Sequence, residues 1–168
     1  MKNSEYINAN WIKKEIFNID QDYIAAQGPI EESTEYFWKM IIQHKVPVIL
    51  MLTKLFEKNR EKCFQYWPSL NEKYVFKSLI TLECISEKKI ENYPLIHRQV
   101  KVKAHKEIII DLIQFEGWPD HSVAKTEDFE FLQSYIALLM DQKSGPLTVH
   151  CSAGIGRTGL KIIFIFLN

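Results

Sequence analysis

Cysteine is scarce in this 168-residue chain: Cys63, Cys84 and Cys151 are the whole set. The number is odd and no two stand at the spacing of a metal-binding pair, which argues against a disulfide framework or a metal-ligand cluster and for a reducing compartment. Charge of one sign is lacking too, since 21 Lys and Arg balance 21 Asp and Glu. The charges are spread without long runs of one sign and read as a solvated surface, so neither nucleic acid nor a membrane surface is implied as a bulk partner. No stretch reaches the ~18 apolar residues of a membrane span; the nearest, Ile162 to Leu167, is too short. Met1 to Asp20 contains no unbroken apolar core of a secretory signal. Repeats, low-complexity tracts and linkers are absent as well. The expectation is one domain in the cytoplasm, alone or as the cytoplasmic portion of a larger protein.

What is present has the make-up of an ordinary globular domain, 46% apolar and 25% charged. Ser33 is placed to cap a helix whose apolar face is Phe37, Met40, Ile41 and His44. After Pro47, the continuous run Val48 to Leu52 reads as a buried strand. Leu79 to Ile85, Ile96 to Val102 and Glu107 to Phe115 read as further strands. Thr126, followed by Glu127 and Asp128, starts a helix with Phe129, Leu132, Ile136 and Leu139 on one face. Leu147 to Val149 is a short strand after Gly145-Pro146. The pattern predicts an α/β fold, a mixed twisted sheet flanked by helices on both faces, with the chemistry at the end of the Leu147–Val149 strand.

That chemistry is carried by His150-Cys-Ser-Ala-Gly-Ile-Gly-Arg-Thr-Gly159. A cysteine ends a strand, Ser152, Ala153, Gly154, Ile155 and Gly156 form a loop, and Arg157 opens an apolar helix. The glycines let the backbone curl so that successive N–H groups point inward as an anion nest, and the helix adds its positive end to the same spot. Arg157 can grip two phosphate oxygens in its planar fork. The same field favours the thiolate form of Cys151, and the Thr158 hydroxyl is placed to hydrogen-bond the sulfur. A nucleotide-binding loop is the nearest competitor. It fails because Leu160 stands where a Lys must follow the second glycine and Ile162 replaces the Mg²⁺-binding hydroxyl. A sulfur-transfer enzyme also uses a cysteine in an anion loop but has no need of a separate proton donor.

The stretch resembles the active-site loop of the tyrosine-specific branch of the protein tyrosine phosphatase family, matching its HCSAGIGR[ST]G pattern throughout. Trp118-Pro119-Asp120-His121 resembles the family's mobile acid loop. Tyr6 to Asn10, Tyr23 to Pro29 and Lys62 to Pro68 resemble three more of its segments, in the family's order. The resemblance implies hydrolysis of phosphotyrosine in proteins through a phosphocysteine on Cys151, without metal or cofactor. Asp120 is then the general acid, and afterwards the base, contributing roughly 10²–10⁴-fold. Glu57 resembles the loop glutamate that orients the active-site Arg, its plainer alternative being a surface carboxylate. His150 would tune the thiolate, the alternative being a histidine satisfied in the core. Trp118 supports the acid loop. A dual-specificity enzyme is disfavoured by the Tyr6 and Gln27 segments.

Two residues depart from the family: Ser122 and Ala124 stand where it usually has Gly and Pro, with consequences for closure of the acid loop. The resemblance further implies that residues 1–168 form a partial domain. The phosphotyrosine-recognition loop would precede residue 1, and the loop with the water-positioning glutamine would follow residue 168. The expectations that go with this are poor solubility, from the apolar Ile162–Leu167 helix end, and a slow second chemical step. The reading from a different class is a catalytically impaired, phosphotyrosine-binding fragment.

Overall fold

The structure, a computed structural model, describes residues 6–119 and 122–166. Its sheet has eight strands in the order β1-β2-β10-β3-β9-β8-β7-β6. These are β1 (Ala9–Ile12), β2 (Tyr23–Ala26), β3 (Val48–Met51), β6 (Lys73–Val75), β7 (Thr81–Lys89), β8 (Leu95–Lys103), β9 (Glu107–Phe115) and β10 (Leu147–His150). The central β2, β10, β3 and β9 are mutually parallel, and the outer pairs are antiparallel. The helices are α1 (Lys14–Phe17), α2 (Thr34–Gln43), α3 (Thr126–Met140) and α4 (Gly156–Phe166). A small hairpin, β4 (Phe56–Glu57) with β5 (Arg60–Glu61), stands apart from the sheet.

The run Val48 to Leu52 is apolar at every position because β3 is covered on both faces. Ile49 and Met51 pack with Phe37, Trp38 and Ile41 of α2, whereas Val48, Leu50 and Leu52 pack with Phe129, Leu132 and Ile136 of α3. The expected mixed sheet with helices on both faces is therefore present. Met40 and Ile41 are buried on α2 as expected, while His44 follows the helix half-buried, its ring 4.7 Å from Trp11. The α3 side also holds a buried polar cluster. Asp111 accepts from His97 Nε2 at 2.7 Å, pairs with Lys143, and His97 Nδ1 meets the Tyr135 hydroxyl at 2.7 Å. This ties β8 and β9 to α3 and to the connection after it.

Several local expectations are corrected. Ser33 does not cap α2: its hydroxyl accepts from the Ile30 N–H and donates to the Ile30 carbonyl, both at 3.1 Å, closing a 3₁₀ turn before the helix. Thr126 is the first helical residue of α3 rather than its cap, while Leu139 packs half-buried against the core as expected, with Met140 buried beside it. Leu79 is excluded from its strand because it sits exposed in a turn with φ of 64°. Arg98 lies buried on the same face of β8 as Val100 and Val102, with its charge held by Glu87. Of the Ile162–Leu167 run, Ile162 is buried and Ile163 half exposed, and the side chains from Phe164 onward lie outside the described residues.

Candidate active site

β10 ends at the C-terminal edge of the parallel strands, with His150 in register with Ala26 of β2 and Met51 of β3. The pairing continues past the strand on both sides. Leu52 donates its N–H to the His150 carbonyl at 2.8 Å, and Gly28 donates to Ser152 at 3.0 Å. The loop then turns through Gly154 at φ 75°, so close to β2 that a Cβ there would lie 2.6 Å from the Ala26 carbonyl oxygen. A Cβ on Gly28 would lie 2.4 Å from the carbonyl oxygen of Cys151. Both contacts demand glycine, and together they fold the loop back over the end of β2. The N–H groups of Ser152, Ala153, Gly154 and Ile155 donate to no described group. They lead into the N-terminus of α4, a place where an anion is favoured.

Cys151 is buried at the floor of this loop. It lines a cleft of about 470 Å³ together with Lys62, Trp118, Pro119, Ser122, Arg157 and Leu160. Arg157 donates from Nη1 to Glu57 Oε1 at 2.7 Å and from Nη2 to Glu57 Oε2 at 2.8 Å, a bidentate pair. Its Nη1 also reaches the Leu52 carbonyl at 3.2 Å. Glu57 is therefore a partner of Arg157 and not a surface carboxylate. It is held there by the β4–β5 turn, where Lys58 and Asn59 both have positive φ, as a tight hairpin requires.

Trp118 is buried, donates Nε1–H to the Ser122 carbonyl at 3.0 Å and stands edge-on to Phe129 of α3 at 5.5 Å. It anchors both ends of the short segment that carries the expected acid. Asp120 itself, with His121, lies outside the described residues. Thr158 departs from expectation. Its hydroxyl is buried and has no hydrogen-bond partner among the described residues, so the contact to the Cys151 sulfur is not made in this structure.

His150 was open to two readings, and the structure contains its core partners. The ring is fully buried beside Phe37 and Tyr66. Its Nδ1 lies 3.0 Å from the Cys151 carbonyl, which can only accept, so Nδ1 carries the proton and Nε2 accepts from the Tyr66 hydroxyl at 2.7 Å. Burial pushes the imidazole down to about 4, so it is neutral. Cys63 lies beneath the same loop, and burial pushes its thiol up to about 12. Cys63 and Cys84 are buried free thiols, in keeping with a core role. Reasoning from sequence gave no role to Lys62 or Tyr66, although both fall in the Lys62–Pro68 segment. Among the described residues no cluster suited to a metal ion occurs, and no helix is long and apolar enough to cross a membrane.

This loop, cleft and paired arginine belong to a known class. A family model described as protein-tyrosine phosphatase matches residues 1–167. The chain belongs to the protein-tyrosine phosphatase family. It is 39% identical over 174 residues to the receptor-type tyrosine-protein phosphatase F of Homo sapiens, and 38% identical to the tyrosine-protein phosphatase Lar of Drosophila melanogaster. Both matches take in 100% of this chain but only 9% and 8% of those proteins. A solved structure of PTPN18 in complex with HER2 phosphopeptides is similar at TM-score 0.86 and 29% identity, over 96% of this chain and 55% of that one.

The buried histidines give a pH dependence of stability. Above the ordinary histidine value of 6.5, His150 is neutral folded and unfolded, and its contribution is fully present. As pH falls toward about 4, the unfolded chain takes up a proton that the folded ring refuses, so stability is lost. His97 is lowered too, chiefly by burial, and acts with the same sign. The loss from His150 is expected to approach roughly 3 kcal/mol. Thermal unfolding across this range should show the midpoint starting to fall just below pH 6.5, before carboxylates titrate; a flat or rising midpoint would contradict the assignment.

Proposed function

We propose that this chain hydrolyses phosphotyrosine in proteins, with Cys151 as nucleophile and Asp120 as general acid. The observation that carries the reading is the cleft that brings Cys151, the small-residue loop after it and Arg157 together, with the arginine held bidentate by Glu57. In this reading the phosphate sits in the loop, and the Nε–Nη2 edge of Arg157 grips two of its oxygens. The thiolate attacks phosphorus, the S–P bond forms, and the bond to the tyrosyl oxygen breaks as Asp120 delivers a proton to it. Water, deprotonated by Asp120, then displaces the sulfur and releases phosphate. Neither metal nor cofactor enters.

The loop N–H groups and Arg157 stabilise negative charge on the transferring group, which is the main task in phosphoryl transfer. The Thr158 hydroxyl turns to the sulfur once that atom is a charged, stronger acceptor. Placement of Asp120 rests on the Trp118-Pro119-Asp120 match and on Trp118, which is fixed against Phe129. Phosphotyrosine as substrate is supported by the similarity to PTPN18, whose solved complex holds HER2 phosphopeptides.

Cys151→Ser should abolish turnover of an aryl phosphate while inorganic phosphate still binds, because the cradle is built from backbone and Arg157 rather than sulfur. Residual turnover within roughly tenfold of the parent would remove Cys151 as nucleophile. Asp120→Ala should lower kcat far more than it weakens binding, by about 10²-fold or more for a poor leaving group and much less for one that leaves unprotonated. Equal losses for both leaving groups would take the acid role from Asp120.

A further inference from the structure

Two protein groups that accept from the Arg157 guanidinium, the Glu57 carboxylate and the Leu52 carbonyl, lie on one short connection from β3 into β4. That connection is fastened from below. Gln114, the penultimate residue of β9, is buried on the α2 side of the sheet, where Ile110 and Leu112 before it are apolar. Its amide Nε2–H donates to the Thr53 carbonyl at 3.2 Å, and the Thr53 hydroxyl reaches Glu57 Oε1 at 3.2 Å and the Lys54 carbonyl at 3.1 Å. The orientation of the Gln114 amide is decided by Arg98, whose Nη1 can only donate and lies 2.8 Å from Oε1. Arg98 is in turn held by Glu87 at 2.6 Å and by the face of Trp67 at 4.7 Å.

A buried amide at the end of an apolar strand face costs stability relative to a hydrocarbon of its size unless each polar atom is paired. Here every pairing leads in one direction, from Arg98 through Gln114 and Thr53 to Glu57 and Arg157. We propose that Gln114 and Thr53 are positioning residues that preset Arg157: they hold the Leu52–Glu57 connection, and hence both acceptors, before phosphate arrives. The inference rests on the phosphatase reading and deepens it. Preorganisation of this kind lowers the cost of ordering the guanidinium on binding and in the transition state.

The test is a double-mutant cycle on the full chain, reading kcat/KM for an aryl phosphate and, independently of turnover, the Kd of inorganic phosphate. Gln114→Met removes both amide bonds at nearly constant volume, and Thr53→Val removes the hydroxyl alone. Each should cost on the order of tenfold in both readouts when Glu57 is present, and less than about twofold in a Glu57→Ala background. Thr53→Ser, which keeps the hydroxyl, should stay near the parent. Losses of equal size in the two backgrounds, or none at all, would overturn the proposal while leaving Cys151 chemistry untouched. Turnover surviving in Cys151→Ser would instead count against the phosphatase reading, with the phosphate Kd cycle still deciding this one. Should Gln114→Met fail to fold because Arg98 is stranded, the Thr53 pair decides alone.

Discussion

The pairing of β10 with parallel neighbours on both sides is the constraint on which the site depends. A four-residue strand has little stability by itself, but here β2 and β3 lock its register, and one further bond on each side extends the lock beyond its end. The loop that follows cannot drift, because it is pressed against the Ala26 carbonyl and the Gly28 backbone with no room for a side chain. The start of α4, which follows the loop directly, is inherited from that closure. The chemistry of Cys151 is therefore a property of the sheet edge as much as of the sulfur.

A second layer of control is polar and buried. On the α2 face, Tyr66 and His150 brace the backbone carbonyl of Cys151, while Arg98, Gln114 and Thr53 reach Glu57. On the α3 face, Asp111 gathers His97 and Lys143. Each of these groups would be costly in isolation and tolerable only when paired, so their networks specify one arrangement where an apolar core would allow several. Two of them end at the active-site loop or its arginine. Support for the loop after β10 and for Arg157 is thus supplied from beneath, by residues that do not line the cleft.

Much of this was legible in the sequence, and the failures have physical causes. The Glu107–Phe115 strand was read with the bounds it has, because a stretch rich in isoleucine follows a polar turn. The loop around Cys151 was legible because its chemistry needs small residues and an arginine at fixed spacing. Leu79 was misread because its apolar side chain suits a strand while its backbone is left-handed. Ser33 was misread because a hydroxyl that bonds backward looks, in sequence, like one that bonds forward. Tyr66, Gln114 and Arg98 could not have been assigned from local pattern. Their partners are 84, 61 and 16 residues away, and only the tertiary fold brings them together.

The central claim is that the cradle delivers a phosphoryl group onto the Cys151 sulfur. The most direct measurement is rapid acid quench of the enzyme during turnover of a phosphotyrosine peptide, followed by mass spectrometry of the proteolysed chain. The account predicts a transient phosphoryl adduct on the peptide containing Cys151, appearing at the rate at which tyrosine is released and decaying as phosphate forms. Turnover with no covalent adduct, or an adduct on any other residue, would contradict it.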